Sequence, residues 1–378
     1  IFSTSTFVVS LQTMDMDLIL FLIFIFCIVV QLYFYLFVYY RFSQYEERSS
    51  SFKKGVSVVI CGYNEEKYWE GLVEQLLQQD YPNFEIVLVN DQSTDNTKFI
   101  FKQWENHPKI KLVDIKEEIK KGLGKKFALT LGIKAAKYDY LLLTDADCYP
   151  KSNQWIKSMT QHFATKDIVL GYGAYEKRKG FLNKLIRFDT FQVAIQYFSY
   201  ALMGKAYMGV GRNLAYKKDL FFENKGFASH LHLPSGDDDL FIKEVSTPFN
   251  TAISSMLSSH TLSEPKTTWK SWIRQKSRHL STGLYYKTYH KQMLGMWIFS
   301  QTLFWILFLI LLAKQFFIPY LIALFFIRLI VQLAVSFPLL KKTEEEDLLF
   351  LYPILELTYI VFYLIFMLKT SLNKKRFW

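Results

Sequence analysis

The feature that most limits how this chain can fold is a run of 23 residues, Leu18 to Tyr40, that contains no charge. As an α-helix with a rise of about 1.5 Å per residue, the run is roughly 35 Å long, which exceeds the hydrocarbon thickness of a bilayer, about 30 Å. Residues 1–17 lack the basic flank of a secretory signal, and no small-residue cleavage pattern follows the run. We therefore expect an N-terminal extension over residues 1–17 and a retained transmembrane helix over residues 18–40.

Three further apolar runs occupy residues 294–313, 316–340 and 348–368. Each is long enough for a membrane helix. Basic residues follow the first span, whereas Asp15 and Asp17 precede it, so the positive-inside bias places the residues after the span in the cytoplasm. The sequence thus predicts an integral membrane protein with a cytoplasmic domain over residues 41–293 and a C-terminal membrane domain over residues 294–378.

The C-terminal tail conflicts with this count of spans. Four spans starting from a cytoplasmic domain leave the basic residues 374–376 on the outer side, against the positive-inside bias. Either the tail is an exception, or the run at 316–340, which contains Pro319 and Pro338, does not cross the membrane simply.

The charge balance narrows the class of partner. Lysine and arginine number 45 against 34 aspartates and glutamates, a surplus of 11. Such a surplus suits an anionic membrane surface and a phosphorylated substrate. No nucleic-acid reader motif occurs, so no nucleic-acid partner is expected. The cysteines Cys27, Cys61 and Cys148 are scattered and form no disulfide or zinc pattern, which fits a reducing cytosolic face.

Strand and helix patterns alternate within the polar domain. Apolar runs typical of buried strands occupy residues 56–60, 84–89, 110–115 and 141–143, and helical patterns occupy residues 67–79 and 124–136. This alternation predicts an α/β fold with a doubly wound, mainly parallel sheet and right-handed crossovers. Ligands of such sheets bind beyond the carboxyl ends of the strands.

Polar side chains follow one predicted strand after another: Asn64 and Glu65, then Asp91, then Asp145 and Asp147. Because these strand ends share one edge of a parallel sheet, we expect the side chains to converge on one crevice. Asp145 and Asp147 are two residues apart on an extended chain and point the same way. Both carboxylates could therefore hold one hard cation, Mg²⁺ or Mn²⁺, with phosphate oxygens completing its shell.

The usual cradle for a dinucleotide is missing. No Gly-x-Gly-x-x-Gly follows the first strand, and no Gly-x-x-x-x-Gly-Lys-Ser/Thr occurs anywhere. Nucleotide phosphates would then be held by a metal and by Lys or Arg side chains. This favours a transferase that uses the nucleotide as a leaving group over a hydride-transfer enzyme.

Several ordered motifs resemble family 2 glycosyltransferases, the inverting, membrane-associated group that includes cellulose, chitin and hyaluronan synthases. The likeness covers residues 56–283, most of the polar domain. The similar segments are residues 58–60 with 64–65, 89–95, 124–129, 144–147, 209–216, 235–240 and 275–279. Two residues depart from the family pattern, because Gln92 stands where glycine is usual and His279 where tryptophan is usual. The resemblance implies a GT-A fold for the cytoplasmic domain.

The resemblance also implies roles for individual residues. It implies that the nucleotide diphosphate sugar is bound by Asn64, Glu65, Asp91, Lys125, Asp145, Gln275 and Arg278. It implies that the acceptor is bound by Gly211, Asn213 and His279. It implies that the metal is bound by Asp145 and Asp147. Within the first set, Asp91 falls on the acidic residue that contacts the nucleobase.

The family places its general base in an acidic pair, which falls here in Asp237-Asp238-Asp239-Leu240. A sugar hydroxyl is a poor nucleophile until its proton is being accepted, and nearby negative charge raises the pKa of a carboxyl group toward useful values. If Asp237 and Asp238 are the pair, Asp238 is the base. If Leu240 fixes the register instead, Asp237 is the base.

The segment Gln275-Lys276-Ser277-Arg278-His279 resembles the family's phosphate clamp. Arg278 can meet a diphosphate with its planar fork, and Gln275 can donate to it or to the acceptor. His279 weakens the stacking platform that tryptophan provides for the acceptor sugar in processive relatives. The same segment also suits an amphipathic helix on anionic headgroups, and both interpretations can hold together.

Two charges lie inside the predicted membrane spans, Arg328 in the third and Glu356 in the fourth. Intramembrane charges usually pair or face a polar cavity. We expect these two to pair, either to join the helices or to border a passage for sugar chains.

Together these features predict inverting transfer of a sugar from a nucleotide diphosphate sugar, in the first instance a UDP-sugar, to an acceptor hydroxyl at the cytosolic membrane face. The expected product is a polysaccharide or glycolipid, the expected acceptor is lipid-linked or a saccharide, and membrane lipids are further partners. A bacterial inner membrane is the expected location. Two alternatives stay open: a nucleotide-sugar-binding channel or transporter component without turnover, and a nucleotidyl or phosphosugar transferase.

Overall fold

The structure is a computed structural model that describes the backbone of residues 3–116 and 124–372 and the side chains of residues 16–116 and 124–366. The side chains of most of the predicted N-terminal extension lie outside this part. The basic tail at 374–376 lies outside it as well.

Helices and strands alternate through the middle of the chain. The α-helices of the described residues are α1 (Ser3–Tyr33), α2 (Tyr40–Ser43), α3 (Glu66–Leu77), α4 (Thr97–Gln103), α5 (Gly124–Ala135), α6 (Trp155–Thr160), α7 (Phe181–Leu202), α8 (Lys218–Glu223), α9 (Asp239–Val245), α10 (Trp269–Leu280), α11 (Thr288–Ala313), α12 (Ile318–Thr343) and α13 (Tyr352–Leu372). The strands are β1 (Val56–Gly62), β2 (Phe84–Asn90), β3 (Ile110–Asp114), β4 (Tyr140–Asp145), β5 (Cys148–Pro150), β6 (Ile168–Gly171), β7 (Gly173–Tyr175), β8 (Leu214–Lys217), β9 (Thr251–Ser254) and β10 (Thr261–Ser263). A π-helical turn, Phe34–Tyr39, joins α1 to α2.

The larger sheet has the strand order β3-β2-β1-β4-β8-β6-β9. Its strands pair in parallel except β8, which runs antiparallel to both β4 and β6. The predicted α/β class with a mainly parallel sheet is therefore confirmed. Strand β8 was not predicted, because four residues are too few to show the alternation that identifies a strand.

The register of the sheet brings the predicted strand ends to one level. Cys61 at the end of β1 pairs with Asp145 of β4, and Gly62 pairs with Asn90 of β2. The segments that follow β1, β2 and β4 therefore leave the sheet side by side.

Helices cover both faces of the sheet. Helix α5 approaches closely at Gly132, where a Cβ atom would lie 2.8 Å from side-chain atoms of both Val59 and Val89. The opposite face packs against α3 and α6, whose Trp69 and Trp155 are fully buried. Close packing of α5 matters for the site, because its first turn carries Lys125.

Four helices are long and apolar enough to cross a membrane within the described residues: Met16–Ser43, Thr288–Ala313, Ile318–Thr343 and Glu346–Phe366. These helices indicate that the chain associates with a membrane. Helix α11 begins at Thr288 rather than at residue 294, because its first turns are polar and the apolar run alone does not reveal them.

Arg328 and Glu356 meet among the four apolar helices, where each side chain is 1% exposed and their nearest atoms are 2.6 Å apart. Arg328 also donates from Nε to Gln31 Oε1 of α1 at 2.8 Å. Gln301 of α11 donates to the Glu356 carboxylate at 2.9 Å. This buried network contacts all four apolar helices, so its bonds serve to join them.

Charged side chains join the polar domain to the apolar helices. Arg187 of α7 donates to Glu345 and Asp347 in the connection between α12 and α13. Lys276 of α10 lies 2.6 Å from Asp189 of α7. The Arg187 bonds hold α7 beside the apolar helices, and the Lys276–Asp189 pair holds α10 beside α7.

Candidate active site

The acidic motif stands where β4 ends and β5 begins. Ligand atoms of Asp145, Asp147 and Cys148 all lie within 4.8 Å of one another. Asp145 and Asp147 are partly exposed, whereas Cys148 is buried with its Sγ 2.8 Å from Ser263 Oγ. The two aspartates are therefore the side chains that a ligand in the crevice can reach.

Glu65 lies close enough to Asp145 and Asp147 for their charges to change its pKa. Burial, together with the charges of Asp147 and Asp145, raises the pKa of Glu65 to about 7, against the opposing charges of Lys266 and Lys67. Such a concentration of carboxylates is destabilising unless a cation compensates it. Hard oxygen donors of this kind fit Mg²⁺ or Mn²⁺.

The segments that follow β1 and β2 brace each other. Ser93 Oγ accepts a hydrogen bond from the Asn64 backbone N–H at 3.0 Å, and Asn64 Oδ1 accepts one from the Thr94 N–H at 2.8 Å. Gln92 adopts a φ of +63°, a conformation that glycine reaches with less strain. Gln92 thus occupies a left-handed backbone position, and Asp91 beside it is partly exposed.

Lys125 connects the acidic motif to the segment that precedes α9. Its Nζ lies 2.6 Å from Asp145 Oδ1 and 3.1 Å from Asp237 Oδ2. Burial lowers the pKa of Lys125, but the charges of these two carboxylates outweigh it and hold the pKa well above its usual value. The ammonium group is thus a fixed positive charge at the centre of the crevice.

Asp238 caps the N-terminus of α9 and is held by two backbone donors. Its Oδ1 accepts from the Asp239 N–H at 2.7 Å, and its Oδ2 accepts from the Gly211 N–H at 2.8 Å. A Cβ atom at position 211 would lie 3.5 Å from Asp238 Oδ2 and 3.6 Å from Lys125 Nζ. Glycine at 211 thus keeps the space beside the carboxylate open.

The two neighbouring aspartates differ in basicity. Burial raises the pKa of Asp238 to about 7, with help from the charges of Asp237 and Asp239 and against Lys125. Burial also raises the pKa of Asp237, but the charge and hydrogen bond of Lys125 outweigh it, so that this pKa is lowered. Of the two bases left open by the sequence, Asp238 is therefore the better proton acceptor near neutral pH.

The predicted phosphate clamp lies on α10. Thr268 caps the N-terminus of this helix, and its side chain accepts a hydrogen bond from the Ser271 N–H. Gln275 Nε2 donates to the Tyr175 hydroxyl at 3.3 Å. Arg278 and His279 are exposed in the last turn. A cation and an imidazole are thus presented at the end of this helix.

Asn213 occupies a different environment from the other predicted residues. It is fully buried, its Oδ1 accepts from Trp155 Nε1 at 3.1 Å, and its Nδ2 donates to the carbonyls of Tyr172 and Ser259. The amide thus supports the strands behind the crevice, and its polar atoms face the protein interior.

Two further residues at the site escaped the sequence reasoning. The Arg212 guanidinium lies 4.3 Å from the centroid of the Tyr175 ring, whose hydroxyl accepts the hydrogen bond from Gln275. Tyr63, at the end of β1, is 56% exposed. The available signals were a lone cation in the segment 209–216 and an aromatic residue just before Asn64.

The structure thus brings Lys125, Asp145, Gly211, Asp237 and Asp238 to one crevice, which they line together. Asp147 and Glu65 stand at its acidic edge, and the segments carrying Asn64 and Asp91 adjoin it through the sheet register. The individual roles predicted for these residues stay predictions.

The family model for glycosyl transferase family 2 matches residues 57–222. Residues 57–222 are a glycosyl transferase family 2 domain. This enzyme domain runs from β1 into α8 and contains the acidic motif. The family resemblance based on the motifs is therefore confirmed.

Curated relatives match shorter stretches. Poly-beta-1,6-N-acetyl-D-glucosamine synthase of Staphylococcus epidermidis is 36% identical over 94 residues, which cover 25% of this chain and 22% of the relative. Glycosyltransferase GlyG of Streptococcus pneumoniae serotype 4 is 36% identical over 131 residues, which cover 33% of this chain and 41% of the relative. The chain therefore spans less than half the length of these relatives.

A solved structure resembles nearly the whole chain. The mannosyltransferase PcManGT of Pyrobaculum calidifontis, in complex with GDP-Man and Mn2+, matches with a TM-score of 0.62 and 17% identity, covering 95% of this chain and 99% of that chain. At this identity the likeness concerns the fold. The predicted class, a GT-A domain with apolar helices able to span a membrane, is confirmed.

Proposed function

We propose that this chain transfers a sugar, with inversion, from a nucleotide diphosphate sugar to an acceptor hydroxyl at the cytosolic membrane face, in polysaccharide or glycolipid synthesis. One observation carries the proposal: Lys125 joins the acidic motif at Asp145 to the segment of Asp237 and Asp238. Donor-binding carboxylates and a carboxylate of raised pKa thereby border one crevice.

The proposed donor is UDP-N-acetylglucosamine. The printed name of the Staphylococcus epidermidis relative describes a polymer of N-acetylglucosamine, and that relative is 36% identical to this chain over 94 residues. Asp91 would accept hydrogen bonds from the N–H edge of the nucleobase. The exposed ring of Tyr63 offers a face on which a planar base can stack.

The diphosphate would lie between the acidic motif and the end of α10. Asp145 and Asp147 would hold Mg²⁺ or Mn²⁺, which when bound neutralises the charge that develops on the leaving diphosphate. Arg278 and Lys125 would contact phosphate oxygens, with Gln275 donating beside them. Lys125 would have to leave Asp145 to do so, since the two now form an ion pair of 2.6 Å.

Asp238 would accept the proton of the acceptor hydroxyl. As that proton moves to the carboxylate, the acceptor oxygen forms a bond to the anomeric carbon, and the bond from this carbon to the diphosphate oxygen breaks. The nucleoside diphosphate leaves with the bonding electrons. Direct displacement of this kind inverts the anomeric configuration, so a product with retained configuration would refute the assignment.

The acceptor would enter beside Gly211 and His279. Gly211 leaves room next to Asp238, and His279 is exposed at the end of α10. Because α10 and α7 adjoin the apolar helices, a lipid-linked or growing saccharide acceptor can reach the crevice from the membrane surface. The cytoplasmic orientation and a bacterial inner membrane belong to this proposal.

Transfer is tested with purified protein in detergent, Mn²⁺, labelled UDP-N-acetylglucosamine and a panel of other nucleotide sugars. We expect a labelled saccharide or lipid product, release of the nucleoside diphosphate, and loss of both in Asp147→Asn and Asp238→Asn. Asp219→Asn, at an exposed position of α8, is the matched control. Binding of nucleotide sugars without any product would favour the transporter component, and release of pyrophosphate or nucleoside monophosphate would favour the other transferase class.

The pH dependence separates the two candidate bases. If Asp238 is the base, kcat/KM falls as the pH drops through about 7, because the carboxyl group becomes protonated there. If Asp237 is the base, activity persists to much lower pH, because its pKa is lowered. The pH profile of Asp237→Asn, compared with that of the wild type, checks the assignment.

A further inference from the structure

Asp239, the third residue of the acidic segment, has no part in the transfer proposed above. Its side chain is buried, and the residue is only 6% exposed. One carboxylate oxygen, Oδ2, accepts hydrogen bonds from the hydroxyls of Tyr286, at 2.8 Å, and Thr282. The other, Oδ1, accepts from the Leu240 N–H at 2.7 Å. Three donors thus fix this carboxylate in one position.

On one side, Asp239 is bonded to the candidate base. Its backbone N–H donates to Asp238 Oδ1 at 2.7 Å, and the other oxygen of Asp238 accepts from Gly211. A shift of Asp239 would therefore rotate Asp238 away from the space that Gly211 keeps open.

On the other side, Asp239 is bonded to the connection between α10 and α11. Thr282 Oγ1 also lies 2.9 Å from the carbonyl oxygen of His279, in the last turn of α10. The Tyr286 ring lies 5.3 Å from the ring of Tyr207, which lies 5.3 Å from the ring of His290 on α11. Asp239 is thus the point where the base segment meets both the clamp helix and a membrane helix.

We propose that Asp239 is a positioning residue, which through Thr282 and Tyr286 holds Asp238 in register with the diphosphate-binding end of α10. The proposal rests on the function proposed above. Nucleophilic displacement at the anomeric carbon needs the base on one side of the sugar and the phosphate contacts on the other. A misplacement of the base by about 1 Å can lower the rate about 100-fold. Most of the contacts proposed for the nucleotide sugar, at Asp91, Asp145 and Asp147, lie outside this connection, so its affinity should change less than the rate.

The test replaces the carboxylate and each hydroxyl separately. Asp239→Asn should lower kcat about 10- to 100-fold, and Tyr286→Phe and Thr282→Val about 10-fold each, since each removes a hydrogen bond to a buried charge. KM for the nucleotide sugar should stay within about twofold. Asp219→Asn and Tyr285→Phe, both at exposed positions, are the matched controls and should behave like the wild type.

The pH profile distinguishes positioning from a general loss of structure. The groups that act on the Asp238 carboxyl are Asp237 and Asp239, which raise its pKa, and Lys125 with the Gly211 N–H, which lower it. Removing the charge of Asp239 should therefore move the acid limb of kcat/KM to lower pH. A merely destabilised protein would keep the limb where it is.

The outcomes are separable. If the wild type transfers sugar and Asp239→Asn keeps both its kcat and its acid limb, the positioning role is wrong and the transfer stands. If Asp239→Asn does not fold, Tyr286→Phe and Thr282→Val decide, because both retain the carboxylate; unchanged kcat in both would overturn the role. If the wild type transfers no sugar from any nucleotide donor, the function and the role fall together.

Discussion

Two groups of charges in this protein, one buried and one partly exposed, differ in how completely they are compensated. Among the four apolar helices, the buried Arg328 and Glu356 form a pair of opposite sign with amide partners from two other helices. In the crevice, Glu65, Asp145 and Asp147 crowd together at one edge, and Lys125, which pairs with Asp145, is shared with Asp237.

The difference indicates different purposes. A matched pair inside the bundle has no charge left for a ligand, and breaking it would leave an unpaired charge in an apolar surrounding. A cluster of carboxylates with too few cations repels itself, and this repulsion is relieved when a positively charged ligand binds. Compensated charges therefore point to assembly, and uncompensated charges point to binding.

The largest expected effect is on the membrane pair. Arg328→Leu leaves Glu356 buried without its cation and should destabilise the membrane domain by about 3–5 kcal/mol. Thermal unfolding in detergent measures the loss, which a second change at Glu356 to Leu should partly relieve. Full additivity in the double-mutant cycle would contradict the pairing. Lys314→Leu breaks an ion pair with Asp17 in which the lysine is 47% exposed, and it should cost about 1 kcal/mol or less.

Neutralising one carboxylate of the crevice should stabilise the protein, whereas breaking the Arg328–Glu356 pair should destabilise it. Asp147→Asn should lower transfer about 100- to 1,000-fold, because the cation contributes several kcal/mol to the transition state. Without metal, the same change should raise the unfolding temperature, since it relieves repulsion with Asp145 and Glu65. Titration with Mn²⁺ should show weaker binding than in the wild type. A lower unfolding temperature with unaltered Mn²⁺ binding would mean that the carboxylate is structural.

Glu47 tests the comparison with a carboxylate in the polar domain. It follows the first membrane helix, and its 3% exposed side chain accepts from His162 at 2.7 Å and from the Ser255 N–H at 2.6 Å. Glu47→Gln should lower the free energy of unfolding by about 1.5–3 kcal/mol. Denaturant unfolding in detergent measures the change, and the exposed neighbour Glu46→Gln is the control.

The contribution of Glu47 should also depend on pH. Burial raises the pKa of Glu47, but its bonds to His162, Ser255 and Ser254 outweigh burial, so that the pKa is lowered in the folded protein. Stability from this group is therefore present above the pKa of the unfolded chain and is lost as the pH falls through the lowered value. The difference between wild type and Glu47→Gln should shrink in acid; a constant difference would contradict the assignment.

The smallest expected effect concerns the acceptor. His279→Trp restores the aromatic platform usual in the family and should lower KM for a saccharide acceptor about 2- to 10-fold, because stacking contributes about 0.5–1.5 kcal/mol. Longer products in the same assay would indicate more transfers per encounter. His232→Trp, at an exposed position outside the crevice, should leave acceptor KM unchanged.

Sequence patterns located most of the secondary structure because the signals are local. The helices observed at Glu66–Leu77 and Gly124–Ala135 lie close to the predicted 67–79 and 124–136. Strand β8 and the polar first turns of α11 had no comparable signal. A strand of four residues and a helix start outside an apolar run depend on tertiary packing rather than on local periodicity.

The candidate site divides in the same way. The acidic motif could be named from the order of the strands, since strand ends in a parallel sheet meet at one edge. Lys125 and the pair Asp237-Asp238 could be named only because their segments resemble those of the family. The buried state of Asn213 could not be foreseen, because it depends on partners from three distant segments. Arg212 and Tyr63 were missed because a single cation or ring has no periodic signature.

By itself, the sequence determined that this chain is a polar α/β domain among apolar helices, and it named the carboxylates around Asp145 and Asp147 as the candidate site. Only the tertiary structure decided that Lys125 pairs with Asp237 and so separates the basicities of Asp237 and Asp238. It also decided that Arg328 and Glu356 neutralise each other and are hydrogen-bonded to residues of the two other apolar helices. The physical reason is range: periodicity and motif spacing are properties of neighbouring residues, whereas a pKa and the pairing of a buried charge depend on whatever the fold brings within a few ångströms.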